Sequence, residues 1–208
     1  RPDADKKVLE AQQQYVQKIG DECAKHDILF LFELLVYPLS KDLYQTKEYV
    51  EMQNKKTDHV LESVREFSNE KYGVDVFKLE SPVNVNKIAD SDLNAFKEMG
   101  NIAGRPWVML SAGAGKEEFK NVLKLAFKAG CSGFLAGRAI WLDAFMHYPN
   151  WDKIQNQLES NAKDYLDEIG EMADKSALSW NNHVCYDKDG SDFPYDNQEF
   201  RLHYNEIE

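Results

Sequence analysis

The chain has 208 residues and carries 36 acidic against 25 basic side chains, so its formal charge is −11 at neutral pH. This length is typical of one domain with a sizeable core. The acidic balance argues against a nucleic-acid or anionic-membrane partner, because both require a positive field. No apolar run reaches the roughly 20 residues of a membrane helix, and the first residues lack the apolar segment of a signal peptide. We therefore expect a cytoplasmic protein.

The cysteines support the same expectation. Cys23, Cys131 and Cys185 are odd in number, lie far apart and form no CxxC pair. This pattern predicts reduced thiols rather than disulfides or a zinc site. The chain begins with Arg1 rather than Met, which suggests that further residues precede it.

The first elements are a helix and a strand. Apolar residues recur at helical spacing over residues 5–25, with Val8 and Tyr15 among the predicted inner positions. Residues 28–37 are apolar except for Glu33, which predicts a strand buried on both faces, as in a parallel sheet. A long polar loop is expected over residues 38–52.

The remaining chain alternates between helices and short strands. Strands are predicted over residues 74–80, 106–111 and 132–136, and helices over 57–69, 91–102, 116–128, 138–146 and 152–175. The last helix is expected to turn Leu166 inward. Four strands, each followed by a helix, predict a parallel sheet with right-handed crossovers. A doubly wound sheet and a (β/α)₈ barrel share this pattern, although no GxGxxG follows the first strand to favour a nucleotide-binding fold.

Lys78 is a cation inside the apolar strand VDVFKLE, on the same predicted face as Val76 and Glu80. Removal from water would lower the pKa of such a lysine and make a neutral amine available to attack carbonyl groups. The alternative is an edge-strand lysine whose ammonium group reaches solvent.

Glu33 lies near the carboxyl end of the preceding predicted strand. If the two strands are neighbours, Glu33 and Lys78 can point into one cleft. A carboxylate beside an amine can transfer protons during imine formation and carbon–carbon cleavage. A purely structural ion pair is the alternative.

Two glycine-containing turns have the character of phosphate-binding sites. Residues 111–115, SAGAG, join the third strand to a helix, so that backbone N–H groups near Ser111 and Gly113 can approach an anion. Residues 136–139, AGRA, repeat the arrangement after the fourth strand, and Arg138 adds a guanidinium group suited to phosphate. Paired turns on the last two strands match the usual phosphate position of (β/α)₈ barrels.

Four motifs together resemble the class I tagatose 1,6-bisphosphate aldolase family. They are FELLVYP, YGVDVFKLESPVN, PWVMLSAGAGKEEF and GCSGFLAGRAIW, in family order, and the resemblance runs from about Arg1 to about Trp180. It implies an α/β fold of the (β/α)₈ TIM-barrel family. This chain resembles the last four βα units, an incomplete barrel over residues 1–176, followed by an irregular, acidic and aromatic tail over residues 177–208.

The resemblance also implies roles for individual residues. Lys78 corresponds to the lysine that forms the Schiff base, and Glu33 to the acid/base. Ser111 and Arg138 correspond to residues that hold substrate phosphate, with Leu135 and Gly137 lining that corner. The implied mechanism needs no metal or cofactor.

The implied reaction cleaves a ketose bisphosphate, such as tagatose 1,6-bisphosphate, to dihydroxyacetone phosphate and glyceraldehyde 3-phosphate. The related sulfofructose-phosphate aldolases, which would release sulfolactaldehyde, are similar around the same motifs. Four strands cannot close an eight-stranded barrel, so the expected partner is an amino-terminal half barrel or a second copy of the chain. A non-catalytic phosphosugar-binding half barrel is the alternative from another functional class.

Overall fold

The computed structural model describes residues 1–39 and 57–186. The helices of this part are α1 (Lys6–Lys25), α2 (Thr57–Phe67), α3 (Leu93–Ala103), α4 (Lys116–Lys128), α5 (Arg138–Phe145), α6 (Trp151–Gln157) and α7 (Lys163–Ser176). The strands are β1 (Leu31–Leu34), β2 (Val76–Leu79), β3 (Trp107–Leu110) and β4 (Gly133–Leu135). Most of the predicted 38–52 loop lies outside the described residues.

The four strands form one parallel sheet in the order β1-β2-β3-β4. Each strand is followed along the chain by a helix, which confirms the predicted α/β alternation. The register places Glu33, Lys78, Val108 and Gly133 in one row across the sheet. Because side chains alternate along a strand, this row lies on one face of the sheet.

The opposite face carries the core. Phe77, Leu79 and Met109 are almost fully buried together with residues of α2, α3 and α4. On β1, the ring of Phe32 packs 5.1 Å from that of Phe67 at the end of α2. Helices therefore cover this side of the sheet, because the apolar side chains of the strands must be buried against another layer.

The face that carries Leu31, Glu33, Lys78, Val108 and Leu135 is called the open face below. Leu31 and Leu135 are 39% and 45% exposed. The prediction that the first strand is buried on both faces is therefore wrong for the described structure. The reason is that Phe67 of α2 packs against Phe32 on the opposite face, while Leu31 remains partly exposed.

The helix predictions succeed best where the apolar stripe is regular. Helix α4 has the predicted bounds, and its stripe of Phe119, Val122, Leu123 and Ala126 is buried. The predicted helix over residues 152–175 is instead divided into α6 and α7 by a π-helical segment, Leu158–Ala162. Val8, Tyr15 and Leu166, predicted to face inward, are 44%, 67% and 43% exposed.

The strands are shorter than predicted. A glycine ends the helical segment that precedes β2 and the helix that precedes β3. Gly73 follows the short 3₁₀ turn Glu70–Tyr72 and Gly104 follows α3, with φ of 60° and 61°. Both angles are in the left-handed region that glycine adopts without steric cost.

The described part of the predicted tail, residues 177–186, is largely irregular. The Leu178 N–H donates to the Cys131 carbonyl over 3.0 Å, and His183 is buried. Residues 187–208 lie outside the described part, so the predicted boundary at residue 177 stays a prediction. Among the described residues, no helix is long and apolar enough to cross a membrane.

Candidate active site

Lys78 and Glu33 meet on the open face. They are register partners on the adjacent strands β2 and β1, and the Lys78 Nζ donates to the Glu33 Oε2 over 2.6 Å. The two side chains are 22% and 35% exposed. The structure therefore brings the predicted amine and carboxylate into direct contact, in a place that a solute can reach.

The local sequence dictates this arrangement. On β1, Phe32 and Leu34 pack against the core, and on β2, Phe77 and Leu79 do the same. Since successive side chains point to opposite faces, Glu33 and Lys78 must both project from the open face. The pairing of the two strands then sets their separation.

The first predicted phosphate turn follows β3. Ser111 is buried, and Ala112 and Gly113 both have left-handed backbone conformations, with φ of 47° and 80°. The Ala114 N–H donates to the Ser111 carbonyl over 2.8 Å, which closes a tight turn ahead of α4. A positive φ is uncommon for residues other than glycine, so the conformation of Ala112 distinguishes this turn from an ordinary strand-to-helix connection.

The second predicted phosphate turn follows β4. Gly137 precedes the first residue of α5, Arg138, whose side chain is partly buried. Leu110 and Leu135, the last residues of β3 and β4, are register partners. The two turns therefore begin side by side at the carboxyl edge of the sheet, which is the edge where parallel α/β folds bind ligands.

Two acidic residues of this region were not singled out from the sequence as functional. The carboxylate of Glu118, in the first turn of α4, lies against Gly115, so an anion held at this helix end would meet a negative charge. Glu80, directly after β2, is 1% exposed and accepts a hydrogen bond from the Val36 N–H. Only the burial of a charged residue marks Glu80 out, and burial cannot be read from the strand pattern.

An amine and a carboxylate are in contact here. The first turn follows β3, the strand next to the Lys78 strand β2, and the second turn with Arg138 follows β4, one strand further. An amine can attack a carbonyl carbon, and the carboxylate can move a proton. The backbone N–H groups of the turns and Arg138 can bind an anionic group, and the Glu118 carboxylate opposes an anion at the start of α4.

Comparison with known protein families decides the relationship. The model of the family described as "DeoC/LacD family aldolase" matches residues 2–143, which include all four strands, the Lys78–Glu33 pair and both turns. The chain belongs to the DeoC/LacD aldolase family. The family resemblance seen in the four motifs is thereby confirmed.

Two similar proteins are named as tagatose 1,6-diphosphate aldolases. The chain is 32% identical over 191 residues to tagatose 1,6-diphosphate aldolase 1 of Enterococcus faecalis, covering 85% of this chain and 58% of the relative. It is 30% identical over 193 residues to tagatose 1,6-diphosphate aldolase 1 of Streptococcus mutans, covering 86% and 58%. The chain thus spans less than two thirds of the length of these relatives.

A solved Schiff base forming fructose-1,6-bisphosphate aldolase is also similar in structure. Its TM-score is 0.48 at 16% sequence identity, covering 77% of this chain and 51% of that one. This distant likeness adds nothing to the family assignment.

Proposed function

We propose that this DeoC/LacD family chain carries the reactive centre of a class I aldolase that cleaves a ketose bisphosphate such as tagatose 1,6-bisphosphate. The observation that carries the proposal is the 2.6 Å contact between Lys78 Nζ and Glu33 Oε2 on an accessible sheet face. The names of the two relatives supply the substrate class.

In the proposed reaction, the neutral Lys78 amine attacks the ketose carbonyl carbon. Loss of water then leaves a protonated imine on Lys78. Glu33 takes the proton from the hydroxyl group on the far side of the scissile bond, the carbon–carbon bond breaks, and an aldehyde is released. The bonding electrons pass into the imine, which becomes an enamine. Protonation of the enamine carbon and hydrolysis of the imine return Lys78 and release dihydroxyacetone phosphate.

The phosphate groups are assigned to the two turns. Ser111 and the backbone around Gly113 are proposed to hold one phosphate together with Gly137 and Arg138, while Leu135 lines the same corner. The side-by-side starts of the two turns at the ends of β3 and β4 support this assignment. A bidentate guanidinium contact would orient the ketose carbonyl toward Lys78.

Borohydride trapping tests the proposal. The full-length protein is incubated with dihydroxyacetone phosphate, reduced with borohydride and digested for peptide mass spectrometry. We expect a reduced adduct on Lys78 that is absent from Lys78→Ala and unaffected in Lys163→Ala, a matched change of an exposed lysine on α7. An unmodified wild-type protein, or an adduct that persists in Lys78→Ala, overturns the proposal. Binding of a sugar phosphate without cleavage would identify a binding protein instead.

The proposal extends to what completes the sheet. Within residues 1–39 and 57–186, β1 and β4 each have a single strand neighbour, and the open face exposes Leu31 and Leu135. An eight-stranded barrel would cover that face. We infer that an amino-terminal half barrel or a second copy of the chain supplies the other strands. Light scattering of the full-length protein tests the second arrangement, because a monomer cannot obtain the other strands from a second copy of the chain.

A cytoplasmic location is proposed for the same protein. Cys23, Cys131 and Cys185 are free thiols in the structure, which is the usual state in a reducing compartment. Fractionation of the source cells tests the location, and recovery outside the cytoplasm would contradict it.

A further inference from the structure

Glu80 is a buried carboxylate for which the proposed reaction has no use. It follows directly after β2, is 1% exposed, and its Oε1 accepts a hydrogen bond from the Val36 N–H over 2.5 Å. Val36 lies two residues beyond the end of β1. Burying a carboxylate is unfavourable unless it is hydrogen-bonded, so this contact is a strong constraint between the two chain segments.

The contact has a counterpart at the other end of the same strand pair. Asp75, directly before β2, accepts a hydrogen bond from the Phe30 N–H over 2.7 Å. Phe30 directly precedes β1. The two acidic residues that flank β2 therefore each hold one end of β1, outside a strand pairing only four residues long.

The two contacts differ in their relation to the open face. Glu80 is two residues from Lys78 and bonds to Val36, three residues beyond Glu33, at the carboxyl edge of the sheet where the two turns begin. Asp75 holds the amino edge and is exposed. The Phe30 carbonyl at the amino end also accepts hydrogen bonds from the Asp75 and Val76 N–H groups over 3.0 and 3.2 Å. The amino end of β1 therefore keeps backbone hydrogen bonds to β2 when the Asp75 side chain is removed.

The position of Glu33 depends on that end of β1. A shift of one residue in the pairing of β1 with β2 would turn Glu33 to the core face. Smaller displacements would lengthen the distance from Glu33 Oε2 to Lys78 Nζ. In the described structure, β1 has β2 as its single neighbouring strand, so strand pairing holds it from one side only.

We propose that Glu80 is a positioning residue that holds the carboxyl end of β1, and with it Glu33, at proton-transfer distance from Lys78. This inference rests on the proposed function, because it assigns Glu80 a role in the chemistry of the same pair. In this proposal Glu80 acts on the position of Glu33 and not on the substrate. Its effect passes through the Val36 backbone.

The test compares Glu80→Ala with Asp75→Ala in the full-length protein, because each variant loses one side-chain acceptor for an N–H group that flanks β1. We expect Glu80→Ala to lower kcat roughly 10- to 100-fold, as small displacements of a catalytic group do, with little change in KM. Lys78 lies on β2 itself, so Glu80→Ala should still form the borohydride-trapped adduct. Asp75→Ala should keep a kcat close to that of the wild type.

Glu80→Gln and Asp75→Asn form a second matched pair that keeps an acceptor oxygen. We expect Glu80→Gln to fall between wild type and Glu80→Ala in kcat, and to show faster hydrogen exchange of the Val36 amide, since a neutral acceptor bonds less strongly. If Glu80→Ala does not fold, the comparison of Glu80→Gln with Asp75→Asn tests the inference. Equal losses of kcat in the Glu80 and Asp75 variants, or faster Val36 exchange with unchanged kcat, overturn the inference. Absence of any wild-type adduct instead refutes the proposed aldolase reaction.

Discussion

Gly20 of α1 lies directly against the backbone carbonyl of Tyr72. A Cβ at position 20 would overlap the Tyr72 carbonyl oxygen and lie 2.8 Å from its carbonyl carbon. Both residues are buried. The absence of a side chain at position 20 therefore sets how closely α1 approaches the turn that leads into β2.

We expect Gly20→Ala to destabilise the chain. The added methyl group meets backbone atoms that cannot rotate away, and overpacking of this kind costs about 1–3 kcal/mol. Urea unfolding followed by circular dichroism measures the change. Gly170→Ala is the matched control, because a Cβ there has no atom within 4 Å and alanine is favoured over glycine in a helix by up to ~1 kcal/mol. Equal stability of the two variants would contradict the packing argument.

Replacement of Glu33 tests its assignment as the proton-transfer group. Glu33→Gln keeps the shape of the side chain but removes its basicity, so we expect the Lys78 adduct to form while kcat falls roughly 10²- to 10⁴-fold. Steady-state cleavage rates and borohydride trapping are measured on the same preparation. Glu62→Gln, an exposed change on α2, should match the wild type. A normal kcat for Glu33→Gln would show that the Glu33–Lys78 pair is a structural contact only.

Arg138 is expected to contribute to binding of one phosphate group. Loss of a hydrogen bond to a charged group costs about 1.5–3 kcal/mol, so Arg138→Ala should raise KM for a ketose bisphosphate roughly 10- to 100-fold. The increase should be much smaller for a ketose monophosphate that lacks the contacted phosphate. Arg65→Ala, an exposed change on α2, serves as the control. Equal effects on the bisphosphate and both monophosphates would place the phosphate elsewhere.

His183 is expected to make stability depend on pH. Burial and the positive charge of Arg105 lower the pKa of this imidazole below its ordinary value of 6.5. Its Nδ1 also accepts a hydrogen bond from the Cys185 N–H, which protonation of Nδ1 would remove. The unfolded chain therefore binds the proton more readily than the folded chain.

The direction of the pH dependence of stability follows from that difference in proton affinity. The contribution of neutral His183 to the free energy of unfolding is fully present above about pH 6.5 and declines as the pH falls toward the lowered pKa of the folded state. Urea unfolding between pH 8 and pH 5 should show this decline in the wild type and a smaller one in His183→Asn. Parallel pH profiles for the two proteins would contradict the assignment.

Much of the architecture was predictable from local patterns. The regular apolar stripe of α4 predicted its bounds, because one buried helix face imposes a 3.6-residue period. Glu33 and Lys78 stood out as charged residues in apolar strands, and the pairing of β1 with β2 brings them together. The sequence by itself determined the βα alternation and this pair of candidates.

Tertiary structure decided which surfaces are covered. Leu31, Tyr15 and Leu166 have apolar or aromatic side chains at positions predicted to be buried, yet they are exposed in the described structure. The role of Glu80 likewise depends on Val36, 44 residues away in the chain. Burial and long-range hydrogen bonds are properties of neighbours in space, and a periodic pattern specifies only which residues share a face.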